Sequence, residues 1–306
     1  MAVLPTTDSE VARNAVDVLF RSAPCALMHG YDVLAKGPVT SDVDIVSGVS
    51  ARALIAGSIA GLAKIGLAPV VIWKYDLGGT AGVFLASPNA EAGVHIDVFH
   101  DPRGRGRYGI CSGAVLSGAV QCGPWRCLSP LDQSLYRLAK ADAKGDPDRL
   151  KRTIQGLSDS QDATVSRAAQ VFASWQRGRV MGLIEAGERA EARFRARSSW
   201  WRHLPRGAMR LLDPVGFWAH VSHGREIADA VADRFSRFLV DALSAPVAGR
   251  ERRMLQTIEA TRLRPRLFVS HGSLPRFPTP DLVVTAENVD EACAEIVTAM
   301  ASRNHR

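Results

Sequence analysis

The chain has 306 residues, 46% of them hydrophobic and 23% charged, a composition that excludes collagen, a coiled coil and wholesale disorder. No apolar run reaches the roughly 20 residues that a membrane-spanning helix needs, and the first ten residues lack the basic and apolar regions of a secretion signal. We therefore expect a globular, cytoplasmic protein without a transmembrane segment.

The formal net charge of +7 is uneven along the chain, because residues 1–100 hold six basic and nine acidic side chains and the remainder is basic. The densest basic stretch, residues 188–210, interleaves arginines with Phe194, Trp200 and Trp201. Such a stretch can bind nucleic acid or anionic lipid, and it is also typical of a solvated linker helix, which we favour.

Five cysteines are scattered along the chain, and an odd number with this spread does not indicate a disulfide framework. Cys122 and Cys127 have a spacing that zinc sites use, but no second pair of ligands lies nearby in sequence. We expect reduced thiols, with these two on a hairpin.

Over the first 120 residues, short apolar strands alternate with one strong helix. Strands are predicted at 26–28, 43–46, 69–73, 83–86 and 94–99. Ser50 is a plausible N-cap for the helix that follows the second strand, and residues 77–80 predict a hairpin turn.

The pattern becomes helical from Ser129, which can cap a helix with Pro130 at its first position and Gly145 at its end. A further helix is predicted at about 162–186. Strand and helix signals alternate again after the basic stretch: strands at 217–222, 267–269 and 282–284, a helix carrying Ile227 to Leu239, and a last helix around Ile296.

These elements predict an α/β or α+β protein with three parts. A mixed sheet with helices occupies 1–128, a helical region with the basic connector occupies 129–210, and a small α/β domain with a parallel sheet occupies 211–306.

The informative residues are three acidic ones in strand contexts. Asp42 and Asp44 alternate with Val43 and Ile45, so both carboxylates project to one face of the sheet. Asp97 lies likewise between Ile96 and Val98. Three carboxylates on one face repel unless a cation is shared, and oxygen ligands of this kind suit Mg²⁺. The alternative is a turn or cap pair, which leaves Asp97 unexplained.

The order of these residues resembles the nucleotidyltransferase superfamily typified by DNA polymerase beta and the antibiotic nucleotidyltransferases. The pattern is a glycine turn after a strand (Gly30), an apolar-flanked Asp-x-Asp about ten residues later (Asp42, Asp44), and a third acid on a later strand (Asp97). The residue after the glycine is usually Ser or Gly in that family and is Tyr31 here. The resemblance covers about residues 20–150.

The resemblance implies a catalytic set of Asp42, Asp44 and Asp97 that binds two Mg²⁺ ions. These ions stabilise the attacking and leaving oxygens at the α-phosphorus of a nucleoside triphosphate. It also implies that backbone N–H groups around Gly30 and Tyr31 bind phosphate, and the hydroxyl of Ser41 can add a contact.

Basic residues near these carboxylates are candidates for binding the triphosphate. Arg103, Arg105 and Arg107 follow the third acid, while Arg137, Lys140 and Lys144 share one face of the next helix. Solvated surface charge is the alternative for each. His95 shares a strand face with Asp97 and either orients it, contacts substrate or simply packs; His29 and His100 are equally ambiguous.

The C-terminal domain resembles a thymidylate-kinase-like P-loop domain in its layout of strand, His223-Gly224-Arg225, helix and later strands. It lacks the lysine and hydroxyl residue that a working P-loop needs, so we interpret it as a degenerate, non-catalytic relative. Proteins that join these two modules resemble enzymes of bacterial surface-polysaccharide gene clusters.

The leading hypothesis is a Mg²⁺-dependent nucleotidyltransferase that moves a nucleoside monophosphate to a hydroxyl or phosphate of a small-molecule or glycan acceptor. One alternative is a decayed nucleotide fold that acts as a binding or scaffold module. The third hypothesis is a nucleic-acid-modifying enzyme, which requires that the protein bind RNA or DNA with a strong dependence on salt concentration.

Overall fold

The computed structural model describes residues 7–37, 42–74, 79–106, 108–157, 161–190, 216–236, 242–244, 266–272 and 280–304. The N-terminal elements are α1 (Thr7–Ser22), β1 (Cys25–Leu27), α2 (Tyr31–Lys36), β2 (Val43–Ser47), α3 (Ala51–Lys64), β3 (Ala68–Lys74), β4 (Ala81–Ala86) and β5 (Gly93–Phe99). All five predicted strands of this part are present, whereas α1 and α2 were not predicted.

The middle of the chain adds a hairpin and several helices: α4 (Ser112–Ser117), β6 (Val120–Cys122), β7 (Trp125–Cys127), α5 (Pro130–Lys144), α6 (Pro147–Gln155), α7 (Gln161–Val171), α8 (Ser174–Ala186) and a 3₁₀ turn (Gly187–Arg189). The hairpin predicted for Cys122 and Cys127 is confirmed. All five cysteines are free thiols, and burial raises the pKa of Cys25 to about 11.

Seven strands form one mixed sheet in the order β3-β4-β5-β2-β1-β7-β6. Strands β2 and β5 are parallel, and β1 is antiparallel to β2 although it is parallel to β7. The predicted fold class, a mixed sheet with helices, is therefore confirmed.

The predicted helix caps are present. The Ser50 hydroxyl accepts a hydrogen bond from the backbone N–H of Ala53 at 3.3 Å, and Ser129 caps α5 in the same way. Helix α5 ends at Gly145, whose φ of 63° is the left-handed conformation that glycine adopts without strain.

The single helix predicted at 162–186 is wrong, because the structure breaks it into α7 and α8. At the break the N–H of Ala173 donates to the carbonyl of Gly109 at 2.8 Å, and the N–H of Cys111 donates to the carbonyl of Val171 at 2.8 Å. These long-range bonds, with an isolated bridge between Ile110 and Phe172, replace the hydrogen bonds that would continue the helix.

The C-terminal part has a second sheet, with strands β8 (Gly216–Val221), β9 (Ala242–Ser244), β10 (Arg266–His271) and β11 (Leu282–Val284) and helices α9 (Arg225–Ser236) and α10 (Val289–Asn304). All its strand pairs are parallel, in the order β11-β8-β10-β9, as predicted. The turn between β8 and α9 contains Gly224 at a φ of 107°. Leu239 and the boundary predicted at 210 lie outside the described residues, so the division into domains stays a prediction.

The two faces of the seven-stranded sheet carry different packing. Val43 and Ile45 of β2 face the core that α1 and α3 cover, while Val46 of β2 and Phe99 of β5 face the core shared with α5, α7 and α8. On this second face, Phe84 of β4 packs into the core of the C-terminal part. The polar residues of β2 and β5 therefore lie between two hydrophobic cores on one face of the sheet.

Within the described part of the chain, no helix combines the length and the apolar character that crossing a membrane requires.

Candidate functional site

The site is built on the parallel pair β2 and β5. Asp44 and Asp97 are register partners across these strands, so their side chains share one face of the sheet. Asp42 lies two residues before Asp44 and His95 two residues before Asp97, which places all four side chains on that face. The shared face was predicted from the alternation of polar and apolar residues, and the register confirms it for Asp44 and Asp97.

Asp42, His95 and Asp97 form a group that could hold a metal ion. One ligand atom from each lies within 4.8 Å of the others. The Nε2 atom of His95 lies 2.9 Å from Oδ1 of Asp97, and the imidazole stacks on the Phe84 ring at 4.2 Å between centroids. The stacking holds the imidazole in an orientation that directs Nε2 toward the carboxylate.

Asp44 has other neighbours although it faces the same side. Its Oδ2 atom lies 2.7 Å from Nε2 of His29 and 3.7 Å from Nζ of Lys140. The Tyr136 hydroxyl donates a long hydrogen bond of 3.4 Å to Oδ1. Asp44 is only 6% exposed, so these three partners compensate the burial of its charge.

The two acids of the Asp-x-Asp pair differ in their electrostatics. Burial and then the negative charges of Asp44 and Asp97 raise the pKa of Asp42. Burial also raises the pKa of Asp44, but His29 and Lys140 together outweigh it, so the net shift of this pKa is downward. His95 offsets only part of the effect on Asp42, whose pKa stays raised, and a bound cation would stabilise the charged form of this carboxylate.

Tyr136 connects α5 to this site. Its ring stacks on the His29 ring at 5.9 Å between centroids and meets the Tyr108 ring edge to face at 5.6 Å. The Nζ atom of Lys140 lies over the Tyr136 ring, 5.1 Å from its centroid. Burial and the charge of Asp44 raise its pKa well above the ordinary value, so the hydroxyl stays protonated and acts as a donor.

The predicted glycine turn lies beside the carboxylates, since His29 contacts Asp44 and directly precedes Gly30. Gly30 has a φ of 78°, in the region that favours glycine, and no atom lies within 4 Å of a Cβ built there. The Tyr31 ring points the other way, meeting the ring of Trp125 edge to face at 6.0 Å. Only the backbone of Tyr31 therefore remains available for a phosphate.

The other predicted site residues are distributed unevenly. Lys140 reaches the carboxylates, whereas Lys144 is exposed one turn further along α5 and Arg103 and Arg105 are exposed in the loop after β5. Ser41 and Arg107 lie outside the described residues. The Nδ1 atom of His100 lies 3.1 Å from the carbonyl oxygen of Ser47, so this imidazole contacts the backbone at the end of β2.

Sequence reasoning did not identify Tyr136, and it left His29 undecided. The only signal for Tyr136 was its position four residues before Lys140 on α5, which puts both on the same side of the helix. The identity of their partner on β2 depends on how α5 packs against the sheet.

The donor set fits a divalent cation. Two carboxylates and an imidazole suit Mn²⁺ as well as Mg²⁺, because imidazole nitrogen is a softer donor than oxygen. Neither a protein-family model nor a curated protein matches this chain. The functional argument therefore rests on the geometry of the site.

Proposed function

We propose that the protein is a divalent-metal-dependent nucleotidyltransferase that moves a nucleoside monophosphate from a nucleoside triphosphate to a hydroxyl or phosphate of a small-molecule or glycan acceptor. The observation that carries the proposal is the pairing of Asp44 with Asp97 across β2 and β5, with Asp42 and His95 on the same face. The resemblance of the ordered glycine turn and three acids to the nucleotidyltransferase superfamily supports the same reading.

Asp42, His95 and Asp97 are the residues that would hold the cation, and Asp44 lies beside them as the further predicted ligand. When bound, Mg²⁺ would neutralise charge on the triphosphate and lower the pKa of the acceptor hydroxyl. Burial and the neighbouring carboxylates Asp44 and Asp97 raise the pKa of Asp42, and such a cation would stabilise its charged form.

The protein's own residues bind and orient the reactants. Lys140, whose side chain is 14% exposed, supplies a positive charge at the inner end of the site, and the backbone after Gly30 supplies N–H groups for phosphate oxygens. His29, from the turn before α2, and Tyr136, from α5, both contact Asp44 and fix its position.

The transfer itself conserves atoms and charge. The acceptor oxygen forms a bond to the α-phosphorus, the bond between that phosphorus and the bridging oxygen of the β-phosphate breaks, and pyrophosphate leaves with the electron pair. The acceptor proton passes by way of the Asp97 carboxylate to solvent. Asp97 is suited to this role because it is partly exposed while Asp44 is enclosed.

A turnover assay tests the proposal. The protein is incubated with Mg²⁺ and each triphosphate labelled at the α-phosphate, with a mixture of sugar phosphates and glycans as acceptors, and labelled product and pyrophosphate are measured. We expect product with one triphosphate, loss of it in Asp97→Asn, and full activity in the control Glu91→Gln, which removes an exposed acid preceding β5. Equal activity of Asp97→Asn and wild type would exclude the proposal.

One observation favours the alternative, a catalytically decayed binding module. Asp44 already has Lys140 as a cationic partner, at 3.7 Å between Nζ and Oδ2. Under this alternative, a thermal-shift titration shows Mg²⁺-dependent binding of a triphosphate, but the turnover assay shows no release of pyrophosphate with any acceptor.

A further inference from the structure

A cleft between α5 and α6 lies outside the carboxylate site. It has a volume of about 510 Å³ and is lined by Ser134, Arg137, Asp146, Arg149, Arg152, Thr153 and Gly156. This volume is within the range of small-molecule sites, roughly 300–1,000 Å³. We refer to it as the arginine cleft.

The arginines converge because of helical spacing. Ser134 and Arg137 are three residues apart on α5, so they share a face of that helix. On α6, Arg149 lies three residues before Arg152 and four before Thr153, and the C-cap residue Gly156 follows at the same spacing. The tight turn through Gly145 brings the two faces together, since the N–H of Asp146 donates to the carbonyl of Ala141 at 3.1 Å.

The guanidinium groups of the cleft make few contacts with the described part of the fold, where Nε of Arg152 donates a hydrogen bond to the carbonyl oxygen of Asp148 at 3.3 Å. Among the ion pairs of the described residues, none involves Arg137, Arg149 or Arg152. The one carboxylate in the cleft, Asp146, accepts a hydrogen bond from the N–H of Arg149 at 2.9 Å and caps α6. Three cations against this one anion leave the lining with an excess of positive charge.

We propose that the arginine cleft binds the phosphate group of a phosphorylated small molecule. The planar guanidinium fork matches the oxygens of a phosphate in bidentate geometry, and the excess charge of the cleft matches a phosphate that carries about −1.5 to −2 at neutral pH. A cleft of about 510 Å³ has the size of a small-molecule site, and the RNA arm of the test below distinguishes this ligand from a nucleic acid.

The position of the cleft relates it to the acceptor, an assignment that rests on the proposed function. Arg137 follows Tyr136 directly and lies one turn before Lys140, so the same turns of α5 face the carboxylate site and the cleft. Under the proposed function, a phosphorylated acceptor is therefore the small molecule that we expect the arginines to bind.

The test uses inorganic phosphate and glycerol 3-phosphate in metal-free buffer at pH 8, where the carboxylate site repels anions. Binding is measured by calorimetry and by thermal shift, with glycerol and with potassium chloride at matched ionic strength as references. We expect both phosphates to bind the full-length protein, and Arg149→Gln and Arg152→Gln each to weaken binding about tenfold, the loss of one charged hydrogen-bonding partner. The matched control Lys151→Gln, an exposed charge of α6 that does not line the cleft, keeps wild-type affinity.

Three results would overturn the proposal. The first is a phosphate response equal to that of potassium chloride, and the second is an equal loss in Lys151→Gln and Arg149→Gln. The third is binding of a short single-stranded RNA, with strong salt dependence, much more tightly than glycerol 3-phosphate. Phosphate binding by a wild-type protein that shows no transfer activity with any of the triphosphates would retain the cleft and exclude the proposed function alone.

Discussion

Asp44 and Asp97 face each other across the parallel strands β2 and β5, yet their carboxylates have different partners. Asp44 contacts His29 and Lys140. Asp97 contacts His95 at 2.9 Å and belongs, with His95 and Asp42, to the group that could hold a metal ion. The pKa values of the two acids on β2 therefore shift in opposite directions, that of Asp42 upward and that of Asp44 downward, and removal of each charge has the opposite effect on stability.

Removing the charge of Asp42 will stabilise the metal-free protein at neutral pH. The folded protein raises the pKa of Asp42, so ionisation of this group opposes folding, and the cost grows as the pH rises above its unfolded pKa of about 3.9. Urea unfolding in chelated buffer will give Asp42→Asn a higher free energy of unfolding than wild type at pH 7. The difference in free energy of unfolding between the variant and wild type will vanish near pH 3. If Asp42→Asn is less stable than wild type at pH 7, the claim that the charge of Asp42 destabilises the metal-free protein is wrong.

Removing the charge of Asp44 will have the opposite effect. Its pKa is lowered in the folded protein, so its contribution is present above the unfolded pKa of about 3.9 and is lost as the pH falls through the lower folded value. Asp44→Asn removes the anionic partner of Lys140 and will cost about 3 kcal/mol at pH 7, as for a broken buried pair.

The measurement for Asp44 is urea unfolding between pH 2 and pH 8. The difference from wild type will shrink below the unfolded pKa. Asp148→Asn, which removes an exposed acid of α6, serves as the control and will stay close to wild type throughout. A pH-independent loss in Asp44→Asn would attribute the effect to packing instead of charge.

His95 will determine which cation binds. If its imidazole is a ligand with Asp42 and Asp97, His95→Gln will weaken Mn²⁺ binding by at least about tenfold, the cost of losing even an indirect partner of a metal site, and will change Mg²⁺ binding less. Calorimetric titration with both cations checks this. His100→Gln, whose imidazole contacts the Ser47 carbonyl, is the matched control, and parallel losses for both cations would assign His95 to positioning Asp97.

Arg225 will be dispensable for transfer. It occupies the position after Gly224 where a P-loop would continue, but its side chain is 77% exposed and pairs with Asp229 one turn along α9. Arg225→Ala will leave the transfer rate unchanged and stability within about 0.5 kcal/mol. A large drop in transfer rate, with unchanged melting temperature, would mean that the C-terminal part contributes to the reaction.

Alternation of polar and apolar residues was sufficient to predict the shared face of Asp42, Asp44 and Asp97, since it depends only on the period of a strand. The same local logic predicted the Ser50 and Ser129 caps. It failed at 162–186, where long-range bonds from Gly109 and Cys111 interrupt a continuous helical pattern.

The partners of the carboxylates were less accessible to sequence reasoning. Tyr136 and Asp44 are 92 residues apart in sequence. They are in contact because α5 packs on the face of the sheet to which the side chain of Asp44 projects. Likewise, the stacking of His95 on Phe84 follows from the antiparallel register of β4 and β5, which no local pattern specifies.

The most direct test of the central claim, that the acidic group binds a cation shared with a nucleoside triphosphate, is a thermal-shift titration. ATP, GTP, CTP and UTP are titrated with and without Mg²⁺ on wild type, on Asp42→Asn and on the control Glu91→Gln. We predict that one triphosphate raises the melting temperature of wild type and of the control only when Mg²⁺ is present, and that Asp42→Asn loses this response. A response that needs no Mg²⁺, or one that Asp42→Asn retains in full, would contradict the assignment of these residues as the metal and nucleotide site.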